Sequence, residues 1–173
     1  MDYTVARLDV SLNNIRVIDH NTTVRANSLR ALGHARAGSI RDKGEMKRLL
    51  NDAIQIVRAR SVEAMAFVFS ETELESISEF NGTLAEQLAN NNAYNAMMAN
   101  RAEIRLGRNP TNMEATCIKL LDSKSNWQVW EAVDAMAELN PRPGWVTTLL
   151  RQAAVHHNGA VRGKAEAALA VHR

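Results

Sequence analysis

The sequence is poor in residues that cross-link small folds or interrupt helices. One cysteine, Cys117, excludes a disulfide within the chain. Three prolines, eight glycines and 5% aromatic residues leave little that favours strands over helices. No apolar run is long enough to span a membrane, and none begins the chain as a secretion signal would. These absences predict an all-α, cytoplasmic protein of a reducing compartment that does not enter a membrane.

The recognisable motifs of catalysis are also missing. The chain has no Gly-rich phosphate loop, nucleophile elbow or metal-protease helix. Cys117 lies on the apolar stripe Met113, Cys117 and Leu120, which indicates a buried, unreactive thiol rather than a nucleophile. His156 and His157 are adjacent on a predicted turn with no third ligand nearby in sequence, which favours a turn role over a metal site. We therefore predict no enzyme activity, no cofactor and no metal site.

What the chain does contain is a motif that recurs about every 33 residues. A Val-Arg pair is followed by a small residue and then by Ala with Leu or Met, and the first residue of each copy is named its anchor. Clear copies have the anchors Val24, Val57 and Val161, and weaker copies have Asn95 and Gln128. The steps between anchors are 33, 38, 33 and 33 residues. Such a period is typical of proteins built from stacked helical repeats.

Each anchor is preceded by turn-forming residues and, before them, by an amphipathic stretch at helical spacing. This order predicts a helix hairpin in every repeat, with the anchor near the start of the second helix. The turns are Asp19 to Asn21, Asn51-Asp52, Asn90 to Asn92, Asp122 to Asn126 and His156 to Gly159. We expect hairpins over residues 1–38, 39–70, 71–108, 109–140 and 141–173, within a single domain that spans 1–173.

An apolar first helix, an Asp or Asn turn and a Val-Arg second helix together resemble the HEAT-repeat family of α-solenoids. The resemblance covers nearly the whole chain, although the third and fourth repeats have Asn95-Ala96 and Gln128-Val129 in place of Val-Arg. It implies an all-α fold, a right-handed α-solenoid of about five HEAT-like helix hairpins. In that family the turn acid and the Arg after Val pair along the stack. The resemblance therefore implies structural roles for Asp19, Asp52, Arg25, Arg58 and Arg162.

The places three, six and ten residues after each anchor are not used by the predicted apolar core. In solenoids of this type the second helix lines the concave surface, so we expect these places to bind a partner. An ordinary solvated face is the alternative interpretation. The predicted partner-binding residues, to which Trp130 is added as an apolar anchor, are Arg30, Arg60, Arg101, Arg105, Glu131, Asp134, Glu138, Phe67, Met98 and Trp130.

Charge is arranged in blocks along the chain. Residues 1–68 carry 11 Lys and Arg against 7 Asp and Glu, residues 69–140 carry 5 against 11, and residues 141–173 carry 5 against 1. Alternating blocks favour another protein as the partner, because complementary fields set specificity and encounter rate. We therefore predict a non-catalytic scaffold, adaptor, inhibitor or structural subunit. Nucleic-acid binding through the basic strip of repeats 1–3 is the alternative, since Arg outnumbers Lys by 16 to 5.

The last two repeats hold residues that are common at protein interfaces. Trp127, Trp130 and Trp145 fall within nineteen residues, and Trp is the residue most often found as an interface anchor. Apolar neighbours of Trp145 favour a core position for it, whereas one of the other two is expected to be exposed. The apolar C-terminal repeat predicts docking on a partner or self-association with a second copy. That surface would be formed by Ala154, Val155, Ala167, Ala170 and Val171.

Overall fold

In a computed structural model of the protein, which describes residues 21–36, 40–110 and 112–171, every regular element is an α-helix. The predicted all-α class is confirmed for this part of the chain. The stretch from Val5 to Ile15, predicted to form the first helix of the first hairpin, lies outside it. The described helices are α1 (Thr22–Ala35), α2 (Ile40–Leu49), α3 (Gln55–Val68), α4 (Glu71–Glu75), α5 (Ser78–Leu88), α6 (Ala93–Arg105), α7 (Met113–Leu121), α8 (Asn126–Ala137), α9 (Gly144–Ala153) and α10 (Gly159–Ala170).

The second helices lie where the repeat predicts them. α1, α3, α6, α8 and α10 each begin two residues before an anchor, in the clear and the weak copies alike. α2 packs against α3, α7 against α8 and α9 against α10, so three of the predicted helix hairpins are present, those within 39–70, 109–140 and 141–173. The longer step of 38 residues contains the additional short helix α4, which begins with a capping box between Ser70 and Glu73. The predicted α-solenoid class is confirmed.

Polar side chains close the turns that precede the second helices. At four of these turns a side chain accepts a hydrogen bond from the backbone N–H two residues later, which fixes the direction in which the next helix begins. The pairs are Asp52 with Ile54 and Asn90 with Asn92, both at 2.9 Å, and Ser123 with Ser125 and His156 with Asn158, both at 3.1 Å. Asn21, Asn92 and Asn158 are also N-caps, so the Asn-rich turns predicted from the sequence have a direct structural role.

The described residues form two compact units, divided between Ala89 and Asn90. In the first unit α1 lies along α3, and the two helices approach closely at Gly33. A Cβ atom on Gly33 would lie 3.2 Å from the Cα of Ala64, so only glycine fits here without a shift of one helix. The core of this unit contains Leu29, Leu32, Met46, Leu49, Val57, Val62, Met65, Leu74, Phe80 and Leu84. The prediction of a single domain stays a prediction.

The second unit is built around α6 and α8, with α7, α9 and α10 packed against them. Every residue from Asn95 to Ala102 in α6 is buried, so this helix is enclosed on all its sides. The core also contains Met113, Cys117, Val129, Val133, Met136, Val146, Leu150, Val161 and Ala165. The small residue four places after each anchor is buried in both units; these residues are Ser28, Ser61, Ala99, Ala132 and Ala165.

The arginine that follows the anchor holds the turns together, as the resemblance implied. In the first unit Arg25 Nε lies 3.0 Å from Asp52 Oδ2 of the next repeat. Arg58 donates to the backbone carbonyl of Asp52 at 2.7 Å and to Glu86 at 2.6 Å. In the second unit Arg162 donates to two carbonyls of its own turn. The structural roles of Arg25, Asp52, Arg58 and Arg162 are confirmed, and Asp19 lies outside the described residues.

Candidate functional site

The charged residues predicted to face a partner in the second unit neutralise one another. The guanidinium of Arg101 is fully buried and donates to Glu131 at 3.0 Å, to Asp134 at 3.1 Å and to Glu138 at 2.8 Å. Arg105 also contacts Glu138, at 2.9 Å, and Lys164 contacts Asp134. We name this set, Arg101, Arg105, Glu131, Asp134, Glu138 and Lys164, the ion network. It balances three cations with three carboxylates.

The ion network follows the repeat. Asp134 lies 33 residues after Arg101, and Glu138 lies 33 residues after Arg105, so equivalent places in consecutive repeats contact each other. A buried charge is tolerated only when an opposite charge and hydrogen bonds compensate its loss of hydration. The network therefore holds α6, α8 and α10 in register and leaves its central members little capacity to bind anything else.

Four predicted partner-binding residues are corrected by their burial. Arg60 is 3% exposed and pairs with Glu63 on its own helix, while Met98, Arg101 and Glu131 are 0% exposed. The interpretation of these residues as an accessible surface is wrong. Arg101 and Glu131 are paired with each other away from solvent, and Met98 is part of the apolar core. Arg60 and Arg101 also cannot contribute to a continuous basic strip.

The other predicted residues are half-buried and keep part of their surface in solvent. In the first unit the ring of Phe67 lies 6.1 Å from that of His34, 33 residues earlier, and Arg30 lies on the same pair of helices. In the second unit Arg105, Asp134 and Glu138 form the outer part of the ion network, and Trp130 is their aromatic neighbour on α8. These residues can contact a partner only through their exposed edges.

The most exposed aromatic group of the second unit lies at the start of α6 and α8. The rings of Trp127 and Trp130 are stacked, with centroids 5.4 Å apart and planes 9° from parallel. Trp127 Nε1 donates to the hydroxyl oxygen of Tyr94 at 3.0 Å, and Trp127 is 46% exposed. We name Tyr94, Trp127 and Trp130 the aromatic patch. The expectation that Trp127 or Trp130 is exposed is confirmed, and Trp145 is half-buried.

The next repeat has small side chains at the places equivalent to the two tryptophans. Ala160 and Gly163 of α10 occupy the places that Trp127 and Trp130 occupy one repeat earlier. A Cβ atom on Gly163 would meet no other atom within 4 Å, so this part of α10 borders open space. Lys164 reaches over Trp130, with its ammonium 5.0 Å from the ring centroid, and borders the aromatic patch.

Sequence reasoning placed Trp130 in the site but missed Tyr94 and Trp127. The signal was present in the repeat itself. Tyr94 and Trp127 are each one residue before an anchor, and side chains at equivalent places of consecutive repeats lie next to one another when the repeats stack. A search for side chains of the same kind at one repeat place would have found the pair.

The described residues offer little for chemistry. Burial raises the pKa of Cys117 to about 12, with a smaller contribution from Glu114, so its reactive thiolate is disfavoured. The rings of His156 and His157 lie 4.1 Å apart, and the pKa of His156 is lowered by burial and by the charges of His157 and Arg162. Within the described ranges, no group of three His, Cys, Asp or Glu residues is placed to hold a metal ion.

A cleft of about 470 Å³ lies in the second unit between the connections that follow α6 and α8. It is lined by 107–110 and 138–143, and it includes all three prolines of the chain. Its charged residues are already engaged, because Arg108 pairs with Glu103, Glu138 belongs to the ion network, and Arg142 donates to the carbonyl of Ala168.

None of the helices in the described part of the chain is long and apolar enough to cross a membrane.

Comparison with known proteins identifies likeness at the level of structure. No protein-family model matches the chain, and no curated protein matches it significantly. Among solved structures, the chain is similar to the designed armadillo repeat protein YIII(Dq)4CqI, with 18% sequence identity and a TM-score of 0.45. That similarity covers 99% of this chain and 84% of the designed protein.

Proposed function

We propose that the protein is a non-catalytic, cytoplasmic repeat protein of the HEAT type that binds another protein, as an adaptor, an inhibitor or a structural subunit. The observation that carries this proposal is the aromatic patch. Tryptophan is the residue most often found at the energetic centre of a protein interface, and a stacked pair of rings is fixed in place before a partner arrives.

The ion network supports a protein partner over nucleic acid. A protein that binds the phosphate backbone needs accessible cationic side chains along a continuous track. Arg60 and Arg101, the middle of the expected basic strip, are buried in ion pairs, and Glu131, Asp134 and Glu138 lie beside Arg101. The exposed surface of the second unit is instead aromatic at the start of α6 and α8.

The contact residues that we propose are Tyr94, Trp127 and Trp130 at the centre and Lys164 at the edge. Arg105, Asp134 and Glu138 remain candidates for the border of the interface because each is half-buried. Arg30 and Phe67 remain candidates for a contact made by the first unit. This selection replaces the larger set expected from the sequence.

Affinity capture from a lysate of the source tests the proposal. The tagged chain is incubated in about 150 mM salt, where exposed charges more than about 8 Å apart are screened, with and without nuclease. Three forms are compared: the natural chain, Trp127→Ala and Ile118→Ala. Ile118 is a matched control, because it is 46% exposed, like Trp127, but lies on α7.

We expect a stoichiometric protein that survives nuclease, is retained by Ile118→Ala and is lost with Trp127→Ala. Circular dichroism checks that both variants keep the helix content of the natural chain. Recovery that depends on nuclease-sensitive material would contradict the proposal and favour nucleic-acid binding. Equal capture by both variants would show that the partner binds elsewhere.

A further inference from the structure

The turn between α9 and α10 differs from the equivalent turns of the other repeats in the side chain that closes it. Five residues before the anchor, the second, third and fourth repeats have Asp52, Asn90 and Ser123, and each accepts a hydrogen bond from the backbone N–H two residues later. In the last repeat the same place is His156, whose Nδ1 accepts from the N–H of Asn158 at 3.1 Å. Of the four residue types at this place, histidine is the one that changes its charge near neutral pH.

This difference makes the last of these turns sensitive to acid. The oxygen atoms of an amide, a hydroxyl or a carboxylate accept hydrogen bonds throughout the range from about pH 5 to 8 in which histidine titrates. An imidazole nitrogen accepts a hydrogen bond only while the ring is neutral, because both nitrogens are donors in the imidazolium ion. Protonation of His156 therefore places a donor against the N–H of Asn158, and the hydrogen bond between them is lost.

Asn158 connects the His156 ring to the start of α10. Asn158 is the N-cap of that helix and has an extended backbone, with φ −81° and ψ 121°. Its Oδ1 accepts from the backbone N–H groups of Ala160 at 3.0 Å and Val161 at 3.2 Å. These N–H groups have no carbonyl partner within the helix, so they depend on the cap. The hydrogen bond to His156 fixes the backbone that orients the cap, and its loss weakens the first turn of α10.

The charges around His156 oppose its protonation. The pKa of His156 is lowered by burial and by the charges of His157 in the same turn and Arg162 on α10. Arg162 is held in place, because it donates to the backbone carbonyls of both histidines at 2.9 Å. The other charged residues on α7 to α10 and in the turn before α8 are exposed or belong to the ion network. The exposed ones are Glu114, Lys119, Asp122, Lys124, Arg151 and Glu166. The neutral ring is therefore the form that suits the folded turn.

We infer that the turn between α9 and α10 is a pH-sensitive latch, in which neutral His156 holds the capping residue Asn158 in place and acid releases the amino end of α10. The contribution of His156 to stability is complete above its unfolded pKa of about 6.5 and is lost as the pH falls through the lower folded pKa. α10 carries Lys164, which pairs with Asp134 and lies over the ring of Trp130, so the latch acts on the helix that borders the aromatic patch. This inference goes beyond the proposed function and does not depend on it.

Amide hydrogen exchange of 159–170 in the full chain, measured by mass spectrometry at about pH 7.5 and about pH 5, tests the inference. His156→Asn is the decisive variant, because Asn90 makes the same hydrogen bond in the third repeat with a side chain that does not titrate. At the higher pH we expect the natural chain and His156→Asn to exchange alike. At the lower pH the start of α10 should exchange about fivefold faster in the natural chain than in His156→Asn, the factor expected for the loss of one intramolecular hydrogen bond.

His157→Asn is the matched control, since it removes the neighbouring imidazole and leaves His156 in place. It should keep the pH dependence of the natural chain, and loss of that dependence would show that His156 is not the sensing group. An NMR titration of the His156 ring should give a lower midpoint in the native chain than in the urea-unfolded chain. Equal exchange of the natural chain and His156→Asn at the lower pH, or an equal or higher native midpoint, would overturn the inference. Faster exchange of His156→Asn at both pH values would contradict the equivalence of the two turns.

Discussion

Replacing Arg101 with Met tests the assignment of the ion network as a structural element. Arg101 is fully buried and contacts three carboxylates, of which Glu131 is also fully buried. Methionine fills a similar volume without charge, so the change removes the positive centre and keeps the packing. The variant leaves three carboxylates facing the two remaining cations, Arg105 and Lys164.

The loss of unfolding free energy in Arg101→Met follows from the burial of Arg101 and Glu131. Removing one member of a buried ion pair leaves its partner charged and poorly hydrated, and such changes destabilise proteins by about 3 to 5 kcal/mol. A typical domain has only about 5 to 15 kcal/mol of unfolding free energy, so Arg101→Met should bring the second unit close to unfolding. In the double variant Arg101→Met, Glu131→Leu, the buried carboxylate that had paired with Arg101 is removed too. We expect this double variant to regain about 1 to 3 kcal/mol of unfolding free energy relative to Arg101→Met.

The assay is urea unfolding followed by tryptophan fluorescence. All three tryptophans lie in the second unit, so the fluorescence reports on the unit that contains the network. Arg108→Met is the matched control, because Arg108 pairs with Glu103 in the same unit and 44% of its side chain is exposed. An exposed pair contributes about 0.2 to 1 kcal/mol. If Arg101→Met costs no more than Arg108→Met, the account of the network is refuted.

Three further predictions concern single residues. Gly33→Ala should destabilise the first unit by about 1 to 3 kcal/mol, because the new methyl group overpacks against Ala64. Gly82→Ala should stabilise the same unit by about 1 kcal/mol, because its Cβ enters open space on α5. Thermal unfolding followed by circular dichroism compares the two variants, and equal effects would contradict the close approach of α1 and α3 at Gly33. The pKa of Glu73 is lowered to about 2 by its hydrogen bond with Lys43, so its contribution to stability is present above the unfolded pKa of about 4.5 and is lost as the pH falls towards 2. Urea midpoints of the natural chain and Glu73→Gln should converge over that range, and a constant difference would refute the assignment. Cys117 should react with a thiol reagent at pH 8 only after unfolding, because burial raises its pKa to about 12; rapid labelling of the native protein would show that it is accessible.

The sequence predicted the second helices well because local chemistry marks their starts. The Asn and Asp turns place N-caps such as Asn92 and Asn158 three residues before an anchor, and this spacing survives even where Val-Arg is absent. Those signals depend on a few adjacent residues, so they can be recognised without knowledge of the packing.

The candidate site was less predictable because burial depends on how closely the repeats pack. Arg60, Met98 and Arg101 are almost completely enclosed by the packed helices, at places that a looser arrangement would leave open. One sequence feature does anticipate this result. Arg101 and Asp134 carry opposite charges at the same place of consecutive repeats, and so do Arg105 and Glu138. Complementary charges at one repeat spacing indicate internal pairing as readily as a binding surface.

The openness of the aromatic patch could be seen only in three dimensions. Tryptophan is as common in cores as at interfaces, and nothing in the sequence around Trp127 distinguishes the two. The structure leaves 46% of Trp127 exposed.

The central claim is that a partner protein binds the aromatic patch, and oxidative footprinting tests it most directly. The chain alone and the captured complex are exposed briefly to hydroxyl radicals, and oxidation of each residue is measured by mass spectrometry. We expect strong protection of Trp127 and Trp130 in the complex and unchanged oxidation of Ile118. Equal oxidation of the two tryptophans with and without the partner would contradict it.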